Sequence, residues 1–187
     1  SRWRSSGFTS EALRLSNEDK DVPVSAAQVK ELRDKTGAGI MDSKRALEEA
    51  DGDIAKAEAL LNEKGLASAA KKAGRETSEG LVVSYIHTGG RVGSLVELNC
   101  ETDFVARTEE FEALGRNLAM QVAAMSPLHV DRESVPEGEE VADEQLLSEQ
   151  EYIRDSSMKI AELVKETIGK LGENIRIRRF SRFELGG

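Results

Sequence analysis

The chain has 187 residues, 35 acidic against 26 basic side chains, a formal net charge of −9 and only 4% aromatic residues. That size admits one ordinary domain, or a small module beside a modest and mainly aliphatic core, and the acidic balance argues against a general nucleic-acid binder. Apolar runs are too short to span a bilayer; one cysteine, Cys100, and two histidines, His87 and His129, exclude an intrachain disulfide and nearly exclude a His/Cys metal site.

Residues 1–22 lack a sustained apolar period and read as a flexible tail that Pro23 ends. Arg2, Arg4 and Arg14, five serines and Glu11 give residues 1–16 the composition of a targeting remnant or of a plain terminal tail. Residues 24–65 predict a first compact unit of three short helices. Ser25 is a fitting N-cap, and Val29 and Leu32 share one helix face. The run Thr36-Gly37-Ala38-Gly39 breaks the first helix. A second follows from Ile40 to Ala50, Gly52 stops it, and Asp53 caps a third that is expected to end at Lys64 and Gly65. Residues 66–78, rich in Ala and Lys, predict a helical linker.

From residue 79 the period changes. Leu81, Val83 and Tyr85 alternate with Val82, Ser84 and Ile86, then Thr88-Gly89-Gly90 supplies turn chemistry and Val92 to Leu98 returns, which predicts a β-hairpin. Both of its faces are apolar, so the sheet is expected to be covered on both sides in part. Residues 108–125 read as a helix, the acidic stretch 126–150 as a surface loop, 156–171 as a second helix and 174–185 as a third strand. The order gives an α+β class: a helical head, then a core (79–187) of a three-stranded antiparallel sheet packed with helices.

Several stretches invite chemical readings. TGAGIMDSK, residues 36–44, has the glycines of a phosphate loop, but Ser43 precedes Lys44 and no strand precedes the glycines, so a helix-to-helix turn explains them better. That turn leaves Ile40 and Met41 at an element's start, where adaptable apolar side chains suit a docking surface. Cys100 lacks an assignable base and reads as a packed thiol, in keeping with a reducing compartment. Asp103 beside Phe104 at a strand exit fits two arrangements equally: a probe offered to a partner, or a helix N-cap with a core Phe. His87 stands at a hairpin tip, solvated or touching a partner. Arg176, Arg178, Arg179 and Arg182 line the last strand, a solvated or salt-bridged face rather than an RNA surface.

Four of these stretches together resemble one family in the right order: VKELRDKTGAGIMDSK (29–44), AAKKAGR (69–75), VELNCETDFVAR (96–107) and GKLGENIRIRRF (169–180). The chain resembles the elongation factor Ts family over roughly residues 24–127 and 152–185, and YIHTGGRVG (85–93) is most similar to its cyanobacterial and plastid branch. Beyond the tail of residues 1–23, the resemblance implies a ubiquitin-associated-like three-helix head and a core that grips elongation factor Tu in its GDP-bound and nucleotide-free forms. It implies guanine nucleotide exchange with no chemistry of its own, no cofactor, no metal and no direct contact with nucleic acid or membrane. Partner contacts would fall to Arg33, Ile40 and Met41 in the head, to His87, and to Asp103 and Phe104, the pair that pushes toward the partner's magnesium and phosphate site. The compartment would be a bacterial cytoplasm or the interior of a plastid or mitochondrion. Single-copy members of the family pair as dimers, sometimes through a cysteine in the last strand; Ser181 stands there, so a non-covalent homodimer is expected. The family's further helical hairpin near residue 145 has no counterpart, since the acidic loop runs almost directly into LLSEQEYIRD. A different class of function is a non-catalytic docking protein on ribosomes, which would use Ile40 and Met41 but not Asp103 or Phe104. An enzyme with a Cys100 nucleophile is the third.

Overall fold

The computed structural model describes residues 24–187, so the expectations for the tail lie outside the described residues. The chain divides into two compact units, the first ending at Glu58 and the second beginning at Ala59.

In the first unit, α1 (Ala26–Thr36) starts with a capping box. The Ser25 hydroxyl accepts from the Gln28 N–H at 3.2 Å, and the Gln28 side chain accepts from the Ser25 N–H at 3.0 Å. Gly37, at φ 67°, ends the helix in the left-handed region and donates its N–H to the Arg33 carbonyl. α2 (Ile40–Glu49) follows at once. Gly52, at φ 79°, turns the chain after it, and Asp53 caps α3 (Ile54–Lys72) by accepting from the Lys56 N–H at 3.0 Å. The Gln28 amide reaches the Gly52 carbonyl at 3.1 Å and ties α1 to that turn. Leu32, Ala46, Leu47, Ala50 and Ala57 are the buried apolar residues.

α3 runs further than the sequence predicts. It passes through Gly65 without a break and reaches Lys72. The reason is tertiary: Gly65 meets Gly169 of α6 (Ile160–Leu171), and a Cβ added at Gly169 would lie 2.8 Å from the Gly65 Cα. Gly65 is therefore a crossing point between two helices rather than a stop signal.

The second unit holds an antiparallel sheet in the order β1 (Glu79–Ile86), β2 (Val92–Cys100), β5 (Ile175–Glu184). Hairpin register is regular, with Leu81 opposite Leu98 and Ile86 opposite Gly93. The β2–β5 ladder carries a bulge at Glu97/Leu98. The inner face, with Val96 and Leu98 fully buried, packs against α5 (Glu109–Met125), whose Phe111, Leu114, Leu118 and Val122 are buried. Helix and sheet approach closely, because a Cβ at Gly115 would come within 2.6 Å of the Val83 side chain. The outer face differs from expectation. Val82, Ile86, Leu95 and Phe183 are exposed there, so among the described residues this sheet is covered on one side only.

Two further differences concern the acidic stretch. It is pinned rather than free: Leu146 and Leu147 are fully buried, and the Leu128 and His129 N–H groups both donate to the Gln145 carbonyl. Between it and α6 lies a short hairpin, β3 (Glu151–Tyr152) and β4 (Asp155–Lys159), where a helix start was expected. The buried Gln121 side chain holds that hairpin, donating to the Glu151 carbonyl at 3.0 Å and accepting from the Ile153 N–H at 3.0 Å.

Gly169→Ala is expected to destabilise the fold by about 1–2 kcal/mol, because overpacking against the Gly65 backbone outweighs the ~1 kcal/mol gain in helix propensity. Urea unfolding of the two proteins checks this; equal or greater stability would show that the helices separate at no cost.

Candidate partner-binding site

The stretch that leaves β2 is built from polar bonds to distant segments. Cys100 is fully buried at the strand's end, and its Sγ–H donates to the Thr102 carbonyl at 3.1 Å. Burial first, and the negative charge of Glu173 second, push its thiol up to about 11, so it stays protonated at neutral pH. His87 sits at the far end of the hairpin, beyond the Ile86–Gly93 pair, and gives Cys100 no base. These facts remove the nucleophile reading.

Thr102, not Asp103, is the N-cap of α4 (Asp103–Ala106). Its hydroxyl accepts from the Val105 N–H and donates to a Glu173 oxygen at 2.6 Å, while its N–H donates to the other Glu173 oxygen at 3.0 Å. Glu101 returns the bond, accepting from the Asn174 N–H at 2.6 Å. The Asn174 amide, almost fully buried, donates to the carbonyls of Ala73 and Arg75 at 3.3 and 2.8 Å. Three segments therefore meet beneath one turn of helix.

On that turn Val105 and Ala106 point inward and Asp103 and Phe104 point out. Phe104 is 80% exposed, which decides between the two arrangements the sequence allowed. Such exposure forgoes the ~1.5–3 kcal/mol that burying a Phe side chain contributes. Asp103 pairs with Arg107 at 2.9 Å; the Asp103 side chain is about half open to water and that of Arg107 more so. An exposed i,i+4 pair of this kind contributes little and is easily exchanged for a cation on another molecule.

The remaining predicted residues fall elsewhere. Ile40 and Met41 open α2 and are 58% and 64% exposed. Arg33 is exposed on α1, and all three belong to the first unit. The glycine-rich run lies between two helices, with α1 and not a strand directly before it, so the phosphate-loop reading fails on geometry as well. His87 is exposed at the hairpin tip and its Nδ1 lies 3.0 Å from the Tyr85 hydroxyl. The length of β2 separates it from Asp103 and Phe104 by about 25–30 Å at ~3.3 Å per residue, so these do not form one cluster. Among the described residues, no group of three or more His, Cys, Asp and Glu side chains is arranged to hold a metal ion. Nor is any described helix long and apolar enough to cross a membrane. Sequence reasoning missed Thr102, Glu173 and Asn174. A Thr-Asp pair after a strand was a legible cap signal, but nothing in the local sequence ties it to Glu173.

The family model described as Elongation factor TS matches residues 24–151. Elongation factor Ts of Leptospira biflexa is 50% identical over 197 aligned residues, covering 89% of this chain and 100% of that protein. Elongation factor Ts of a Thermoanaerobacter species is 50% identical over 87% of this chain and 95% of its own length. That of Thermotoga neapolitana is 48% identical over 88% of this chain and 98% of its own. An aligned span of 197 residues that takes in 89% of a 187-residue chain means the Leptospira protein carries residues with no counterpart here.

Cys100 yields a direct chemical check. A thiol raised from 9 to about 11 has a thiolate fraction about 10²-fold lower at pH 8. Folded protein should therefore react with a thiol reagent at least that much more slowly than protein unfolded in urea, and faster as pH rises toward 11. Rapid labelling of the native chain at pH 7 would contradict the buried, protonated thiol.

Proposed function

We propose that this chain, which belongs to the elongation factor Ts family, is a translation elongation factor that promotes release of GDP from elongation factor Tu. The observation that carries the mechanism is the outward Asp103–Phe104 pair on a capped helical turn. An exchange factor needs no base or nucleophile. It must bind the nucleotide-free partner more tightly than the GDP form, because only differential affinity shifts an equilibrium. Phe104 would enter an apolar site of the partner's nucleotide-binding domain that is open only when the nucleotide leaves. Asp103 would leave Arg107 and compete for the groups that hold the magnesium ion. By linkage, whatever GDP binding takes from this contact, the contact takes from GDP.

The head would supply affinity rather than displacement. Ile40 and Met41 offer adjacent apolar side chains at the start of α2, and Arg33 adds a charge from α1. His87, remote from the Asp-Phe pair along the hairpin, would make a peripheral contact. A docking protein that uses only the head would have no need for an exposed Phe104, so the exchange reading is favoured.

The outer sheet face supports a second element of the reading, a non-covalent homodimer. Val82, Ile86, Leu95 and Phe183 make an exposed apolar patch of the sort that self-associating surfaces present. Ser181 faces outward opposite Leu95, and the one cysteine is buried, so no disulfide would join two copies. Such a factor would act where elongation factor Tu acts, in a bacterial cytoplasm or an organelle interior.

Phe104→Ala should weaken the productive complex by about 2 kcal/mol, the loss expected of a buried aromatic hot spot. Stopped-flow release of a fluorescent GDP from elongation factor Tu measures it, and undiminished acceleration would remove the wedge. Phe183→Asp should convert a dimer to a monomer in sedimentation velocity at micromolar concentration; an unchanged sedimentation coefficient would remove the sheet interface.

A further inference from the structure

We propose that Glu173 is a positioning residue for exchange: its carboxylate grips both the N–H and the hydroxyl of Thr102 and thereby fixes the direction in which Asp103 and Phe104 are presented. The inference rests on the exchange reading above and adds to it the group that holds the wedge rigid.

A helix of four residues cannot hold itself in water, since nucleating one turn is unfavourable. α4 has few internal means to do so. Its cap bond from Val105 N–H to the Thr102 hydroxyl is long, at 3.5 Å. Phe104 contributes no anchoring burial, and the Asp103–Arg107 pair is exposed. Burial of Val105 and Ala106 sets the depth of the turn, and the Cys100 Sγ–H bond to the Thr102 carbonyl holds its first residue at one point. Glu173 adds two further bonds to that residue. It follows Gly172, whose φ of 78° ends α6 and swings the next side chain away from the helix axis. The two bonds, 3.0 and 2.6 Å, involve a carboxylate and two donors of one residue, so they fix orientation as well as distance. The reciprocal bond from Asn174 N–H to Glu101 keeps the Glu173 backbone in register with the loop it holds. The turn it clamps buries Val105 and Ala106 and at the same time carries outward the most exposed phenylalanine in the described chain, so the clamp that seats the turn also sets where Phe104 points.

The test uses the full chain and elongation factor Tu loaded with a fluorescent GDP, with release followed at increasing factor concentration. Glu173→Gln keeps the shape but removes the charge and turns one acceptor into a donor, so the side chain can no longer accept from both the N–H and the hydroxyl of Thr102. It is expected to lower the limiting release rate about tenfold, inside the about 10²-fold loss that a 1 Å misplacement causes, with the half-saturating concentration changed less than about twofold. In a background already carrying Asp103→Ala and Phe104→Ala, Glu173→Gln should have no further effect. Thr102→Val, which removes the hydroxyl from the other side, should lower the limiting rate in the same direction. A drop of equal size in the Asp103/Phe104 background, or a change confined to the half-saturating concentration, overturns the proposal. Amide hydrogen exchange separates this from the parent reading. Residues 103–107 should exchange at least about tenfold faster in Glu173→Gln, with α5 and β2 unchanged, whether or not the chain accelerates GDP release. If the wild-type chain fails to accelerate release, the exchange reading falls and the amide result still decides the positioning; unchanged protection at residues 103–107 sinks the positioning alone.

Discussion

A single helical turn is unstable by itself, and the turn that carries Asp103 and Phe104 is held by bonds from another part of the chain. Two carboxylates, Glu101 and Glu173, each accept the backbone N–H of the opposite segment, and Asn174 ties both to the end of α3. These are charge-assisted bonds to partly buried groups, the stronger class, and each leaves a desolvated donor unpaired when broken. The sheet and α5 provide the platform under this knot: the end of β2 fixes Cys100, and the start of α5 is capped by the Thr108 hydroxyl. An exposed aromatic side chain can therefore be carried on a held backbone without being buried.

The same economy governs the rest of the second unit. With few aromatic residues, the core relies on aliphatic contacts and on close backbone approach. Gly115 lets α5 settle on Val83, and Gly65 and Gly169 let two helices touch. Polar side chains close the gaps that apolar packing leaves: the Ser94 hydroxyl donates to the Ala119 carbonyl at 2.6 Å, and Gln121 holds the β3–β4 hairpin from inside. Sheet packing on one face leaves an apolar outer face open. An asymmetric sheet of that kind is a surface with an unmet hydrophobic demand, which the proposed pairing with a second copy would meet.

Elements whose signal is local and periodic were legible. The Ser25 cap, the Gly37 and Gly52 stops, the hairpin around Thr88-Gly89-Gly90 and the α5 stripe from Phe111 to Val122 all follow from spacing and turn chemistry. Elements whose signal is short, or diluted by a contrary background, were not. Leu146 and Leu147 are two buried residues in an acidic run, and the β3–β4 hairpin has too few residues to establish a period of two. Gly65 reads as a helix terminator because, in sequence, a crossing-point glycine and a capping glycine look the same.

Composition, periodicity and four ordered motifs were sufficient to determine the α+β class, the family and the residues worth watching, because each depends on neighbours within a few positions. The direction of Phe104 was not among them. Aromatic side chains beside a cap residue point inward or outward according to what lies beneath the turn, and here the cap residue Thr102 is bonded to a glutamate 71 residues further along the chain. Nor did the alternation of β1 and β2 reveal that one apolar face would stay uncovered by the described residues. Which side of a sheet receives the helices is a property of the folded connections, and only the tertiary structure decides it.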